Sequence, residues 1–197
     1  MQLNLDGYTT LPAGKLANVA TSLEMTAAPA GYPALRDDIA LERVERPDLD
    51  WYLDLFRRIG EPFLWFSRRI MPRAQVAAIL ADPLVEVYSV RRQGGEIGLV
   101  ELDRRNAGVV EIAYFGLVPE ATGLGAGRAI MDRTLQLAWS SAPKKVWVHT
   151  CTLDHPGALA FYQKCGFRAF ARMIEVVDDP RLTGALPREA APWVPVI

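Results

Sequence analysis

The glycine run Gly123-Leu124-Gly125-Ala126-Gly127 constrains this 197-residue chain more than any other part of it. Before it lies a long strand candidate, Val109 through Leu117. After it Ile130, Met131, Leu135 and Ala138 share one face of a helix. A strand that turns on glycines into a helix exposes backbone N–H groups at the positive end of the helix dipole, an arrangement suited to an anion. The pattern G-x-G-x-G is not the G-x-G-x-x-G dinucleotide fingerprint, and Lys144-Lys145 stand where an acidic residue would be needed. The Gly-Lys-Ser/Thr of a P-loop is also missing. Two readings stay open from these residues alone, an anion cradle and a permissive turn.

The flanking pattern alternates strands with helices. Ile39–Val44 reads as a strand, and Asp48 then caps a helix whose apolar face is Leu49, Tyr52, Leu53 and Phe56, with Gly60 placed to stop it. A second helix is predicted from Arg73 to Ala81. Val85–Val90 and Glu96–Leu102 form a hairpin around Gln93-Gly94-Gly95, ahead of the long strand. Beyond the glycine helix come a strand, Lys144–Thr150, a short helix over 156–164 begun by Pro156, and a last strand, Phe170–Val177. This order predicts an α/β (α+β) fold with a mixed, mostly antiparallel central sheet flanked by helices. The domain spans 39–177. Residues 1–38 read as an N-terminal arm in which Leu16–Met25 can form a strand, and 178–197 as a Pro-rich C-terminal tail. The aromatic segment Glu61–Phe66 suits either core filling or the wall of a substrate pocket.

Charge narrows the partners. Lys and Arg number 22 against 23 Asp and Glu, a formal charge of −1, which offers no excess of cations for a nucleic-acid track. No stretch reaches the apolar length of a membrane span, and the first residues lack a basic start and an apolar run, so no membrane partner is expected. Two cysteines, Cys151 and Cys165, are too few for a disulfide framework and suit a reducing, cytoplasmic setting. Their expected role is that of small buried hydrophobes. His149 and His155 lack a third convergent ligand, so no metal is expected.

The residues from Val110 to Phe167 resemble the GCN5-related N-acetyltransferases. The resemblance rests on Glu111-Ile112-Ala113-Tyr114-Phe115-Gly116-Leu117-Val118, on the glycine turn, and on Ala158-Leu159-Ala160-Phe161-Tyr162-Gln163-Lys164-Cys165-Gly166-Phe167. The family turn, (Arg/Gln)-x-x-Gly-x-(Gly/Ala), maps onto Thr122 through Gly127, with Thr122 in place of Arg or Gln. His155 stands where the family often has Asn. The resemblance implies acetyl-coenzyme A as co-substrate, its pyrophosphate on the amides of Gly123, Gly125, Gly127, Arg128 and Ala129, and its pantetheine along Leu117 and Val118. His155 belongs to the same expected coenzyme set. Glu111 aligns with the family's general base and Tyr162 with its general acid, and the N–H of Val118 or Leu117 is the expected oxyanion donor. The implied activity is acetyl transfer to a primary amine by direct attack in a ternary complex. The alternative is a non-catalytic acyl-CoA-binding or regulatory module. By elimination, segments 1–38 and 61–70 are expected to shape the acceptor pocket, a small-molecule or peptide amine its occupant. Glu24, Arg68 and Arg69 are candidates for reading a charged acceptor, and exposed sheet edges would suit a homodimer.

Overall fold

The computed structural model describes residues 2–123 and 125–197; Leu124, inside the glycine turn, and Met1 lie outside the described residues. Seven strands form one sheet: β1 (Lys15–Met25), β2 (Ile39–Arg43), β3 (Val85–Arg92), β4 (Gly95–Asp103), β5 (Val109–Leu117), β6 (Lys145–Cys151) and β7 (Arg168–Asp178), in the spatial order β2-β3-β4-β5-β6-β1-β7. Every neighbouring pair is antiparallel except β5 and β6, which run parallel. The mixed, mostly antiparallel sheet expected from the sequence is therefore present. No helix among the described residues is long and apolar enough to cross a membrane.

Helices α1 (Leu49–Gly60), α2 (Ser67–Ile70), α3 (Arg73–Ala81), α4 (Ala126–Trp139) and α5 (Ala158–Lys164) cover the two faces. Asp48 caps α1 as predicted, its carboxylate accepting from the N–H groups of Asp50 and Trp51. Tyr52, Phe56 and Ile59 of α1 and Val76 and Leu80 of α3 pack on Val87 and Leu99 of one face. Ile130, Met131, Leu135 and Ala138 of α4, with Tyr162 of α5, pack on Val110, Ile112, Val146 and Val148 of the other. Gly60 does not stop α1 by a left-handed turn, since its φ is −98°. It is glycine because a Cβ there would lie 2.3 Å from the Trp65 side chain. The 156–164 helix begins later than expected, at Ala158, because Pro156 sits in the preceding turn.

The largest departure concerns the segment read as an arm. β1 lies inside the sheet, paired with β6 on one side and with β7 on the other. Leu16, Asn18, Ala20 and Ser22 are buried on one face, then a bulge after Ser22 moves burial to Leu23 and Met25 on the other. The strand expected at Leu16–Met25 is thus present, but inside the sheet rather than in an arm laid on it. The tail beyond β7 folds back: Leu186, Ala190 and Ala191 pack with Leu16, Leu64, Phe66 and Leu153. Buried Arg181 pairs with Asp179 and donates to the carbonyls of Ala190 and Val194, pinning the tail in place.

Candidate active site

The parallel pairing of β5 and β6 lasts only from Val109/Lys145 to Glu111/Trp147. Just beyond, β5 carries a bulge, for Glu101 faces Tyr114 while its neighbour Leu102 faces Ile112, leaving Ala113 unmatched. A bulge bends its strand and sharpens its twist. β6 meanwhile stays paired with β1 as far as Cys151. The two strands therefore splay, and a cavity of about 960 Å³ opens between Ile112–Leu117 and Val148–Cys151.

One end of the cavity is built from backbone. Val118, expected to offer its N–H, already donates it to the Ile97 carbonyl at 2.9 Å. Antiparallel alternation then turns the polar groups of Leu117, opposite Gly98, to the other edge of β5, facing the cleft. Leu117, not Val118, presents the open donor. In the turn Gly123 and Gly125 have φ of +82° and +72°, angles that L side chains adopt only with strain. Gly125 is the N-cap of α4 and no side chain caps the helix. The N–H groups of Ala126, Gly127 and Arg128 thus lack an intrahelical acceptor, whereas that of Ala129, also expected to bind, closes the first turn onto Gly125. Among the described residues nothing beyond its chain neighbours lies within 4 Å of a Cβ built on Gly123, so that side of the turn is open, while Arg36 Nη1 reaches within 3.6 Å of one on Gly125. Free amides at a helix start with room beside them fit a pyrophosphate. Arg128 lines this end, but its guanidinium is paired with Asp132 at 2.9 Å and donates to the Lys164 carbonyl.

The other end is built from side chains. Tyr162 on α5 lines the cavity, packs edge-on against Phe115, Phe161 and Phe167, and has no hydrogen-bond partner for its hydroxyl among the described residues. Burial pushes its phenol above the usual range, with Asp154 and Cys165 adding to the effect, so it stays protonated at neutral pH. Trp65 donates to Asp154 at 2.9 Å, and the same carboxylate accepts from Thr150 Oγ1 and the Cys151 N–H, both at 2.8 Å. The indole fits because Gly116 lies beneath it; a Cβ there would come within 2.8 Å of Trp65 and 2.4 Å of Ile59. Tyr114 meets Trp65 and Phe56 and shares a 2.6 Å hydrogen bond with Ser67.

Behind this wall, fully buried Glu101 accepts from Arg68 and from the Tyr52 hydroxyl, each at 2.5 Å, and the Arg68 guanidinium lies 5.1 Å from the Tyr114 ring centre. Burial is the largest single influence on Arg68 and works against its charge, but the Glu101 carboxylate, with Tyr52 and Tyr114 adding to it, holds the guanidinium above its usual pKa. Arg68 is thus committed to structure. Arg69 donates to the Ala185 carbonyl and Glu24 pairs with Lys145, so none of the three charged residues expected to read the acceptor lines the cavity.

Glu111 stands at the apex of the cleft, beside the last β5–β6 pair. It does not line the cavity itself; His149 does, with Nδ1 3.8 Å from the Glu111 carboxylate. Burial, and then the carboxylates of Asp103 and Glu101, raise the Glu111 pKa to about 7. Burial also raises Cys151 and Cys165 to about 11, which keeps both as thiols. His155 lines the cavity at its rim, its Nδ1 accepting from the Gly157 N–H at 3.0 Å, with Phe63 against its ring.

The structure therefore gathers Leu117, Gly123, Gly125, Gly127, Arg128, His155 and Tyr162 on one cavity, and leaves Val118, Ala129 and Glu111 off its lining. The 61–70 segment contributes residues 63–67, and the first 38 residues contribute Asn18 and Ala20. Trp147, Asp154, Met173 and Glu175 also line it and were not among the site residues expected from sequence. One signal could have found the bulge that opens the site: the apolar phase of β5 shifts from Val110 and Ile112 to Phe115 and Leu117.

Comparison with known proteins agrees with this geometry. Residues 49–167, more than half of the chain, match the acetyltransferase (GNAT) family. Uncharacterized N-acetyltransferases of Mycobacterium tuberculosis and Mycobacterium bovis are each 30% identical over 95 residues, covering 48% of this chain. The match spans 60% of the length of these curated relatives. Among solved structures, a mutant spermidine N-acetyltransferase from Vibrio cholerae superposes with a TM-score of 0.54 at 21% identity, over 72% of this chain and 95% of that one. An IAA acetyltransferase from Bacillus cereus gives 0.53 at 22%, over 68% and 79%. A functionally unknown Staphylococcus epidermidis protein gives 0.61 at 14%, over 84% and 64%. These structural likenesses speak for the fold; with the sequence match and the cleft, the chain belongs to the acetyltransferase (GNAT) family.

Proposed function

We propose that this protein is an acetyl-CoA-dependent N-acetyltransferase that moves an acetyl group to a primary amine by direct attack in a ternary complex. The observation that carries this reading is the splayed β5–β6 pair, with a free strand edge and an uncapped glycine turn at one end and a tyrosine hydroxyl in the wall. Acetyl-CoA supplies an activated thioester. The turn amides hold its phosphates, and the cleft edge of β5 at Leu117 offers a donor for the oxygen that gains charge.

An alkylammonium with a pKa near 10.4 is mostly protonated at pH 7, and its neutral form costs about 4–5 kcal/mol. Glu111, tuned to about 7, is matched to take that proton through His149 or water. Tyr162 remains protonated, and full transfer to a thiolate whose acid has a pKa of about 8.5 is uphill, so its contribution is chiefly a hydrogen bond to the departing sulfur. Two unpaired thiols are consistent with a cytoplasmic site of action.

A thermal-shift titration with acetyl-CoA tests the coenzyme site, because binding to the native state must raise the melting temperature. Mass spectrometry across an amine panel then tests transfer. Coenzyme binding with no acetylated product from any amine would favour the non-catalytic module. No shift at millimolar acetyl-CoA would overturn the reading.

A further inference from the structure

The corner of the cavity over β1 and β7 is not used by coenzyme chemistry. Asn18 on β1 is 2% exposed and borders the cavity, and its Oδ1 has no hydrogen-bond partner among the described residues. Its Nδ2 donates to Glu175 Oε2 on β7 at 2.8 Å, which fixes the amide, nitrogen toward the carboxylate and oxygen left as an unused acceptor. Glu175 also lines the cavity and forms no ion pair among the described residues. The other lining carboxylate, Asp154, is already met by Trp65, Thr150 and Cys151. The lining cation, Arg128, is held at the coenzyme end by Asp132. This corner presents acceptors and negative charge, and the group that would complete it is a charged donor.

Strand register gives the span. Ser22 faces His149, and Asn18 stands four residues farther along β1, so about 13 Å of strand separates the corner from the His149–Glu111 pair. The cavity between is largely apolar in its walls, with Met173, Leu153 and Phe66 among them.

We propose that the acceptor is an elongated amine carrying a second, cationic nitrogen, bound by Glu175 and Asn18 while the first nitrogen lies toward His149 and Glu111. This deepens the acetyltransferase reading and rests on it. An alkyl monoamine of equal length fills the apolar span but leaves Glu175 without a countercharge and Asn18 Oδ1 without a donor. Both residues lie outside the family-matched 49–167, so the corner is a feature of this chain rather than of the shared core.

Calorimetric titration of the full chain tests this, with and without coenzyme A. The probes are straight-chain diamines of four to eight carbons, each against the monoamine of equal length. At least one diamine should bind about tenfold or more tightly than its monoamine. Glu175→Gln, an exposed position whose amide oxygen still accepts from Asn18, should bring that ratio close to one. Asn18→Leu should lower it as well. Asp178→Asn, which removes an exposed carboxylate from the same strand, should leave it unchanged. No diamine preference at any length, or a preference that survives Glu175→Gln, overturns the proposal. Acetyl-CoA binding and acetyl transfer are measured separately. A Glu175-dependent diamine preference without acetyl-CoA binding keeps the subsite and removes the acetyltransferase reading. Equal transfer to diamines and monoamines does the reverse.

Discussion

The two ends of the cleft are made of different material. At the end proposed for the coenzyme the available groups are amides: the β5 edge at Leu117 and the N–H groups that open α4. Side-chain identity matters there mostly where it is absent, at glycines. At the end proposed for the acceptor the lining groups are side chains drawn from distant parts of the chain, Asn18, Trp65, Tyr114, His149 and Glu175 among them. The first kind of site is encoded in a short contiguous motif. The second is assembled by topology and can change residue by residue without disturbing the first.

If that division holds, changes behind the acceptor wall should cost stability and acceptor binding while sparing coenzyme affinity. The largest effect expected is from Arg68→Met, which leaves the Glu101 carboxylate buried without its partner. Breaking such a pair costs about 3–5 kcal/mol. Urea denaturation should show that loss, and a variant that remained as stable as the parent would mean that Glu101 is not charged in the folded protein. Tyr162→Phe comes next. Turnover of a found amine should fall about a hundredfold with acetyl-CoA affinity nearly intact, since a hydroxyl is lost but not the packing. An unchanged rate would remove the tyrosine from the chemistry.

Glu111→Gln sharpens the comparison at the apex, where the two ends meet. The folded carboxyl holds its proton up to about 7 while the unfolded one releases it near 4.5. Between those values the native state binds more protons, so parent stability should fall as pH rises through this window. The variant should lack that fall, gaining about 2 kcal/mol at pH 8, while losing the rise of activity through neutrality. Thermal melts from pH 4 to 8 and a pH–rate profile measure both. The smallest effect belongs to Gly123→Ala. Its φ of +82° makes a side chain cost about 1 kcal/mol, and the visible consequence should be weaker acetyl-CoA binding with little change in acceptor KM. Equal damage to both substrates would break the division between the ends.

The same division explains what could be read before any coordinates. The glycine turn, the helix it opens and the Phe161-Tyr162 segment are local patterns, and they led directly to the coenzyme end. α1 and α3 were legible from apolar spacing and a capping Asp48. Asn18 and Glu175 were not, because nothing local distinguishes them from surface polar residues; they meet only when β1 enters the sheet beside β7. Arg68 misled for the complementary reason. Two adjacent arginines look solvated, yet the short α2 turns one of them onto Glu101, a contact between residues 33 apart. For the oxyanion donor the motif left Val118 and Leu117 both open: it locates the strand end, but only pairing with Ile97 decides which amide is spent.

The placement of β1 has a consequence for how the protein is made. It is made before β2 through β7, yet its partners β6 and β7 follow all the other strands, with Ala20 waiting for Cys151 and Lys15 for Asp178. Such long-range pairing is slow and leaves strand edges open meanwhile. A nascent chain can complete β2–β5 and their helices early, while the Asn18–Glu175 corner closes only once β7 has been made. The glycine turn of this chain can thus take shape before the corner at the far side of the cavity does.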